Sequence, residues 1–221
     1  MNTEKTKKIM QEEKTTLPVG KYLRELSIVV LGVLISFGIS NWIGVRNSGK
    51  DMKLQLTAIK LELEENINEI DSSLKKMKPS IDYADYLKSR DKKSINMDTL
   101  YVFEVNGGMN TIFSFHFNSN AFEMFKIGGM MRLVDDKDLL ISIWDAYEEI
   151  NEAEETLDWV MKIKLDEELK RLQWSEEEKK KNIPMYQFYK DSGLAYETEN
   201  ILNQLLAKLK ETDEKLEKAL K

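Results

Sequence analysis

Hydrophobic residues run without interruption through one part of the chain and recur at helical spacing through most of the remainder. The uninterrupted run is residues 26–45, LSIVVLGVLISFGISNWIGV, which contains no charged side chain. As a helix rising about 1.5 Å per residue, this run is about 30 Å long, which matches the hydrocarbon core of a bilayer. The pattern therefore predicts a single transmembrane helix, and we place it at residues 21–46.

Two other interpretations of this run fit the sequence less well. A buried core helix of this apolarity needs a large domain around it, whereas 33% of the chain is charged. A cleaved signal peptide has some support, because Gly38 and Ser40 flank a passable cleavage position. However, the charged region before the run extends to Glu25, which is long for a signal peptide. An uncleaved anchor remains the preferred interpretation.

The positive charges on the two flanks predict the orientation of this anchor. Residues 1–25 carry six Lys and Arg side chains, whereas residues 46–65 carry four. The more positive flank faces the cytoplasm. We therefore expect a disordered cytoplasmic tail at residues 1–20 and a helical domain at residues 47–221 on the other side. Tyr22 and Trp42 lie near the two ends of the run, where aromatic rings favour the membrane interface.

Small residues recur at every fourth position within the predicted membrane helix. They are Gly32, Ser36, Ser40 and Gly44. Small side chains on one face let a second helix approach closely, and serine hydroxyls can hydrogen-bond across the contact. We expect this stripe to contact another membrane helix, from a second copy or from a partner. The alternative is chance, because small residues are common in membrane helices.

The remainder of the chain shows the three- and four-residue spacing of an all-α helical bundle. The spacing extends over residues 50–78, 136–180 and 194–221. The first of these helices is expected to continue the membrane helix, with a bend at residues 47–49. Pro79 favours a turn, after which a helix resumes over residues 81–88.

The middle of the chain mixes short apolar segments with turn residues. Residues 97–105 are apolar enough for either a helix or a strand. Residues 111–117 alternate like a strand but have no evident partner, so a loop or a helix start is expected. Residues 121–127 form a short helix that Gly128 and Gly129 close. Asp135 and Asp136 cap the long helix that follows.

Aromatic and methionine residues cluster before, inside and just after that short helix. We expect most of this cluster to be core. On the long helix that follows, Trp144, Trp159 and Val160 are expected to widen the apolar stripe. A partner or ligand groove is the alternative for part of the cluster, since Met and Phe also suit adaptable binding surfaces. The cluster consists of Phe113, Phe115, Phe117, Phe122, Met124, Phe125, Met130 and Met131.

Composition excludes several classes of chemistry. A net charge of −6 argues against a nucleic-acid surface, which needs a basic face. The chain has no cysteine, so it has no disulfides and no thiolate nucleophile. A cysteine-free extracytoplasmic domain is ordinary in bacteria, which points to the bacterial inner membrane and a periplasmic domain. His116 is the single histidine and lacks a second histidine with which to bind zinc.

A run of acidic residues on the long helix raises the question of a divalent-ion site. The residues lie on several faces of the helix and lack the spacing of a calcium loop, so a solvated face is the better interpretation. They are Glu148, Glu149, Glu152, Glu154 and Glu155. We therefore expect no catalytic, cofactor or metal site.

Two segments resemble an uncharacterised family of small single-pass membrane proteins of Gram-negative bacteria. That family ends its span in an Ile-Asn-Asn-Trp-like motif, and later carries an aromatic-Glu-x-x-Lys-x-x-Gly segment followed by Ile-x-Asn-x-x-Leu. Ser40 and Phe122 depart from the family's usual Asn and Tyr. The resemblance implies the topology and a helical domain, without an activity. The matching residues are Lys21-Tyr22, Ile39-Ser40-Asn41-Trp42, Asn120–Met130 and Leu133–Leu139.

Two functional classes follow from these observations. The first is a non-enzymatic, membrane-anchored helical protein that binds or regulates a partner protein of the envelope. The second is an extracytoplasmic ligand-sensing bundle that acts through a separate partner chain. A separate chain is required because only about 20 residues precede the span.

Overall fold

The computed structural model describes residues 19–107 and 113–221, with side chains from residue 49 onward except Lys180, and Leu34. This part of the chain is helical and contains no strand, which confirms the all-α prediction. The α-helices are α1 (Val19–Lys88), α2 (Met97–Val105), α3 (Asn120–Ile127), α4 (Lys137–Leu172), α5 (Glu176–Lys181) and α6 (Leu194–Leu220). Short 3₁₀ helices occupy Lys92–Ser94 and Met130–Leu133, and a π-helix occupies Gln187–Asp191.

The chain divides into two compact units, Met1–Lys50 and Asp51–Lys221. In the second unit, α4 and α6 run antiparallel. The side chain of Ser142, early in α4, lies 3.0 Å from that of Thr212, late in α6. Lys208, one turn before Thr212, donates to Asp145, which is one turn further along α4. Both hydroxyls are buried between the two helices, and each has the other as its hydrogen-bond partner.

The second-unit part of α1 also packs antiparallel to α6, and therefore parallel to α4. Lys60, near the start of this part, lies 3.3 Å from Asp213 of α6. Asp85, near its end, accepts a hydrogen bond of 2.7 Å from Tyr196 at the start of α6. The connection from α1 to the parallel α4 passes through α2 and α3. The three long helices thus form a bundle with two shorter helices in the crossover.

The bundle core follows the helical spacing seen in the sequence. Each long helix buries one stripe of aliphatic and aromatic side chains, and fully burying one such side chain stabilises the fold by about 1.5–3 kcal/mol. Fully buried members of these stripes are Ile59, Leu63, Ile70, Tyr83, Leu87, Ile143, Leu157, Leu202, Leu205 and Leu209.

The predicted turn at Pro79 was wrong, because α1 continues through this residue to Lys88. A proline inside a helix removes one hydrogen-bond donor and costs about 3 kcal/mol. Packing on both sides of Pro79 offsets this cost, since Met77, Ile81 and Tyr83 are all buried in the core. Helical backbone covers residues 47–49, and the bend expected there stays a prediction.

The long helix α4 begins as predicted and ends earlier than predicted. The side chain of Asp136 accepts a hydrogen bond from the backbone N–H of Leu139, which caps the helix. The helix ends at Leu172 rather than near residue 180. Ser175 forms a capping box with Glu178, and this local signal starts α5 instead of extending α4.

The structure decides between the alternatives left open for two segments, residues 97–105 and 113–119. Residues 97–105 are the helix α2, whose first turn is capped by Asn96 accepting from the N–H of Asp98. Residues 113–119 are neither helix nor strand, which agrees with the predicted loop. Their side chains still alternate between bundle and solvent, because Phe115 is buried whereas His116 is exposed.

Several residues that helical spacing places on the apolar stripe of α4 face solvent. Trp144 is 41% exposed and Trp159 is 57% exposed, so neither widens the buried stripe. Leu165, Leu169 and Leu172 are also exposed. The helical spacing was real, but the last turns of α4 carry more apolar positions than the bundle covers.

Among the residues whose side chains the structure describes, no helix combines the length and apolarity that a bilayer crossing requires.

Of the tail predicted at residues 1–20, residues 1–18 lie outside the described residues, whereas Val19 and Gly20 begin α1. The side chains predicted for the membrane interface and the helix contact are likewise not among those described; they are Tyr22, Gly32, Ser36, Ser40, Trp42 and Gly44.

Candidate binding groove

A groove of about 370 Å³ opens on the surface of the second unit, between α2, the end of α4 and α5. Its lining combines large apolar and aromatic side chains with charged groups at the edge. Trp, Tyr, Met and Arg are the residue types most enriched where proteins bind one another. The lining residues are Met97, Leu100, Tyr101, Glu104, Arg171, Trp174, Lys179 and Pro184.

Helix α2 forms one wall of the groove and is fixed to the bundle by its inner face. Leu100 is 2% exposed and points into the core. The ring of Phe103 lies 5.3 Å from that of Tyr83 and 5.4 Å from that of Tyr86, both on α1. This anchoring leaves Tyr101, on the outer side of the helix, 66% exposed at the groove.

Arg171 connects the two walls. Its guanidinium donates two hydrogen bonds to Glu168, of 2.8 and 2.6 Å, and a third of 3.1 Å to Glu104 on α2. The hydrogen bonds to Glu168 raise the pKa of Arg171 above its usual value. Because a planar guanidinium held by two carboxylates has a fixed orientation, this network sets the spacing of α2 and α4.

The joint between α4 and α5 provides the second wall. The helix α4 stops at Leu172, and Trp174 follows in the two-residue gap before the cap of α5. Its ring is only half-buried and lines the groove. The backbone N–H of Ser175 donates to Glu178 over 2.8 Å, which lowers the pKa of that carboxyl and holds the joint.

The floor near Pro184 belongs to an irregular segment with unusual backbone geometry. The hydroxyl of Tyr83 donates to the carbonyl of Pro184 over 2.7 Å. Met185 has a φ of 54°, which a non-glycine residue seldom adopts, yet it is 1% exposed and tightly packed. Glu167 accepts from the N–H groups of Gln187 and Phe188 at 3.2 and 3.0 Å. Burial raises the pKa of Glu167, and these two hydrogen bonds oppose the shift.

Lys164 lies beneath this segment and was not anticipated from the sequence. It is 2% exposed, and its ammonium lies 5.2, 5.4 and 5.8 Å from the ring centres of Tyr189, Phe188 and Phe113. Burial lowers the pKa of Lys164 to about 8. The cavity beside it is about 10 Å³, roughly the space of one water molecule, so it has no room for a metabolite.

A second buried polar network holds α3 against α1 and α4. Glu62 is 4% exposed and accepts from the hydroxyl of Tyr147 at 2.6 Å. It also accepts from the N–H groups of Ala121 and Phe122 at the start of α3, at 2.7 and 3.3 Å. Glu62 therefore caps α3 from a distant helix. The rings of Phe122 and Tyr147 stack 4.1 Å apart, which completes the contact.

The predicted aromatic and methionine cluster divides into core and surface. Phe115, Phe122 and Phe125 are buried, as predicted, whereas Met124 is 64% exposed. The half-buried members are Phe113, Phe117, Met130 and Met131. Trp144 contacts Phe122 edge-on from the solvent side. The cluster is therefore mainly structural, and the groove of α2 is a different surface.

The acidic run of α4 remains a solvent-facing feature. Glu148, Glu152 and Glu155 are exposed, whereas Glu154 accepts from the N–H of Phe117 at 2.6 Å. No group of acidic or histidine side chains that could hold a metal ion occurs in residues 19–107 or 113–221.

No protein-family model, curated protein or solved structure matches this chain. The family resemblance of residues 21–46 and 120–139 therefore stays a prediction.

Proposed function

We propose that the chain is a non-enzymatic, single-pass membrane protein whose helical domain binds or regulates a partner protein of the bacterial envelope. The groove between α2 and α4 is the proposed docking site. The single observation that carries this proposal is a groove whose walls are held by Arg171 and whose lining includes the exposed Tyr101 and the half-buried Trp174. Exposed aromatic side chains on a fixed frame lose little entropy when a partner covers them.

The groove favours a peptide segment of the partner with a few large apolar side chains. Its apolar lining comes from two helices and a loop, a setting in which amphipathic helices and extended segments dock. Arg171 already pairs with both Glu104 and Glu168, so the charged side chains at this edge satisfy one another and leave one carboxylate in excess. Such an edge selects against a partner segment that would bury an unpaired charge there.

The membrane anchor is proposed on the sequence alone. Residues 26–45 carry no charge and match the thickness of a bilayer, and the more positive flank precedes them. In this arrangement the N-terminus is cytoplasmic and residues 47–221 are periplasmic. Anchoring then confines the groove to partners that also reside in, or close to, the inner membrane.

Topology is tested with spheroplasts that carry the full-length chain. Protease added outside is expected to digest the domain of residues 47–221. Protection of that domain in intact spheroplasts, with digestion only after lysis, would reverse the orientation. Release of the full-length chain from membranes by alkaline carbonate would refute the anchor itself.

Docking is tested by purification of the full-length protein in mild detergent. We expect a stoichiometric partner chain with the wild type and at least a tenfold loss of it with Trp174→Ala, because exposed aromatic anchors carry about 2 kcal/mol or more of binding energy. Trp159→Ala is the matched control, since Trp159 is exposed on α4 but does not line the groove. Equal recovery of the partner with all three proteins would refute the groove as the docking site.

A further inference from the structure

The turn that follows α1 is strongly basic although the whole chain is acidic. Lys88, Arg90, Lys92 and Lys93 are all exposed within residues 88–94. None of them forms an ion pair with a carboxylate in the part of the chain that the structure describes. Asp91 is the one acidic residue inside the turn, so the segment carries a net positive charge.

The cations of this turn are held on the faces of tyrosine rings. Such contacts orient the charged group and leave it open to solvent on its outer side. The pairs are Lys88 over Tyr196 at 4.7 Å, Arg90 over Tyr86 at 4.2 Å, and Lys92 over Tyr186 at 5.3 Å. Lys190 also lies 5.5 Å from the Tyr186 ring and donates to the carbonyl of Arg90, which ties the turn to the π-helix.

The helix α2 begins three residues after this turn and presents an apolar face to solvent. Tyr101, Val102 and Val105 are 66%, 55% and 66% exposed, and Met97 is 41% exposed. Tyr101, Val102 and Val105 lie on the side of α2 away from the buried Leu100, and Met97 lies at the edge of this face. Val102 and Val105 do not line the groove, so a partner in the groove leaves them uncovered. Asp98 is the one charged residue that shares this face.

We propose that the basic turn 88–94 and the outer face of α2 together bind a bilayer surface that contains anionic lipid. A cluster of Lys and Arg beside a short apolar helix face is the combination by which proteins bind the headgroup region. The ammonium and guanidinium groups contact phosphate groups, and the valines enter the boundary of the acyl chains.

A lipid surface can bind both the basic turn and the apolar face of α2, whereas an acidic protein segment would bind only the basic turn. An acidic peptide would neutralise the four cations and leave Val102 and Val105 exposed to water. A bilayer presents negative charge and hydrocarbon in adjacent layers, which matches a basic turn next to an apolar helix face. Met97 and Tyr101 also line the groove, so this inference rests on the basic turn, Val102 and Val105, which lie outside the groove.

The test uses a single cysteine, because the natural chain contains none. Full-length Val105→Cys carries an environment-sensitive dye and is reconstituted in neutral phosphatidylcholine nanodiscs. Added vesicles of phosphatidylcholine with phosphatidylglycerol should shift the emission to the blue, whereas neutral vesicles should not. The same dye on Trp159→Cys should give no shift with either vesicle.

Charge reversal supplies the second arm. Lys92→Glu with Lys93→Glu, in the labelled chain, should weaken partition into anionic vesicles by about 25-fold or more, because each cation near the surface contributes about fivefold. Raised salt should weaken wild-type binding as well. Far-ultraviolet circular dichroism checks that the variant remains folded, since its two lysines are exposed and no loss of helix is expected.

Three results would overturn the proposal. A blue shift of equal size with neutral vesicles would remove the role of charge. An unchanged emission with anionic vesicles would exclude lipid binding. A response to soluble poly-glutamate, without a response to anionic vesicles, would assign the turn to an acidic protein segment instead.

Discussion

The buried ammonium of Lys164 offers the sharpest test of the packing around the irregular segment. Lys164→Met keeps the length and apolar volume of the side chain and removes its charge. The charged form sits among Phe113, Phe188 and Tyr189, with 2% of the residue exposed. A charge held in such surroundings destabilises the fold relative to a neutral group, except where the aromatic faces offset the loss of water.

The magnitude follows from the pKa of this lysine. The pKa falls from 10.5 to about 8 in the folded chain, with burial as the main cause and Glu168 opposing it. Between these two values the unfolded chain binds more protons, so stability rises with pH in that window. The stability that the fold gains when Lys164 loses its proton is fully present above pH 10.5 and is lost as pH falls toward 8. Integrated from pH 7 to pH 10, it amounts to about 2.5 kcal/mol.

The assay is chemical denaturation of both full-length proteins in the same mild detergent, followed by far-ultraviolet circular dichroism at several pH values. Because the two chains differ at a single group, other titrations cancel in the difference between their free energies of unfolding. Between pH 7 and pH 10, we expect the free energy of unfolding of the wild type to rise by about 2.5 kcal/mol relative to that of Lys164→Met. Parallel pH profiles would refute the buried, charge-disfavouring site, and with it the tight packing of the π-helix on α4.

Three further substitutions test other parts of the account. Glu62→Gln should destabilise the domain by about 2–3 kcal/mol, because an amide NH₂ replaces one of the carboxylate oxygens that accept from the N–H groups of α3. The exposed control Glu65→Gln should cost less than about 0.5 kcal/mol in the same denaturation experiment. Trp144→Ala should cost under about 2 kcal/mol, since 41% of this residue is already exposed, and a loss in the range of a fully buried tryptophan would contradict its placement. In the predicted span, Ser36→Ile should weaken helix association in a membrane assay whereas Val33→Ile should not, and equal association would refute the small-residue contact.

The helical architecture was predictable because it rests on local signals. Apolar spacing located α4 and α6, and Asp136 marked the start of α4 through a side-chain hydrogen bond that its own sequence neighbourhood supplies. The break between α4 and α5 was missed although Ser175 and Glu178 form a capping box visible in the sequence. The turn predicted at Pro79 did not form, because the helix around this proline packs against residues that are distant in the chain.

The groove was not predictable, because it depends on contacts across long sequence separations. Glu104 and Arg171 look like ordinary surface charges in the sequence, and their pairing appears only when α2 folds against α4. Lys164 lies in a charged stretch of α4, so nothing nearby indicates that it is buried. Its burial follows from three aromatic rings contributed by two other segments.

The most direct measurement of the central claim is site-specific photocrosslinking in intact cell envelopes. A photoreactive amino acid replaces Tyr101 in the groove in one full-length chain, and Trp159 on the open face of α4 in another. The account predicts one discrete crosslinked protein from position 101, and its absence from position 159. Failure to crosslink any protein at position 101, or the same crosslinked protein at both positions, would contradict a docking site between α2 and α4.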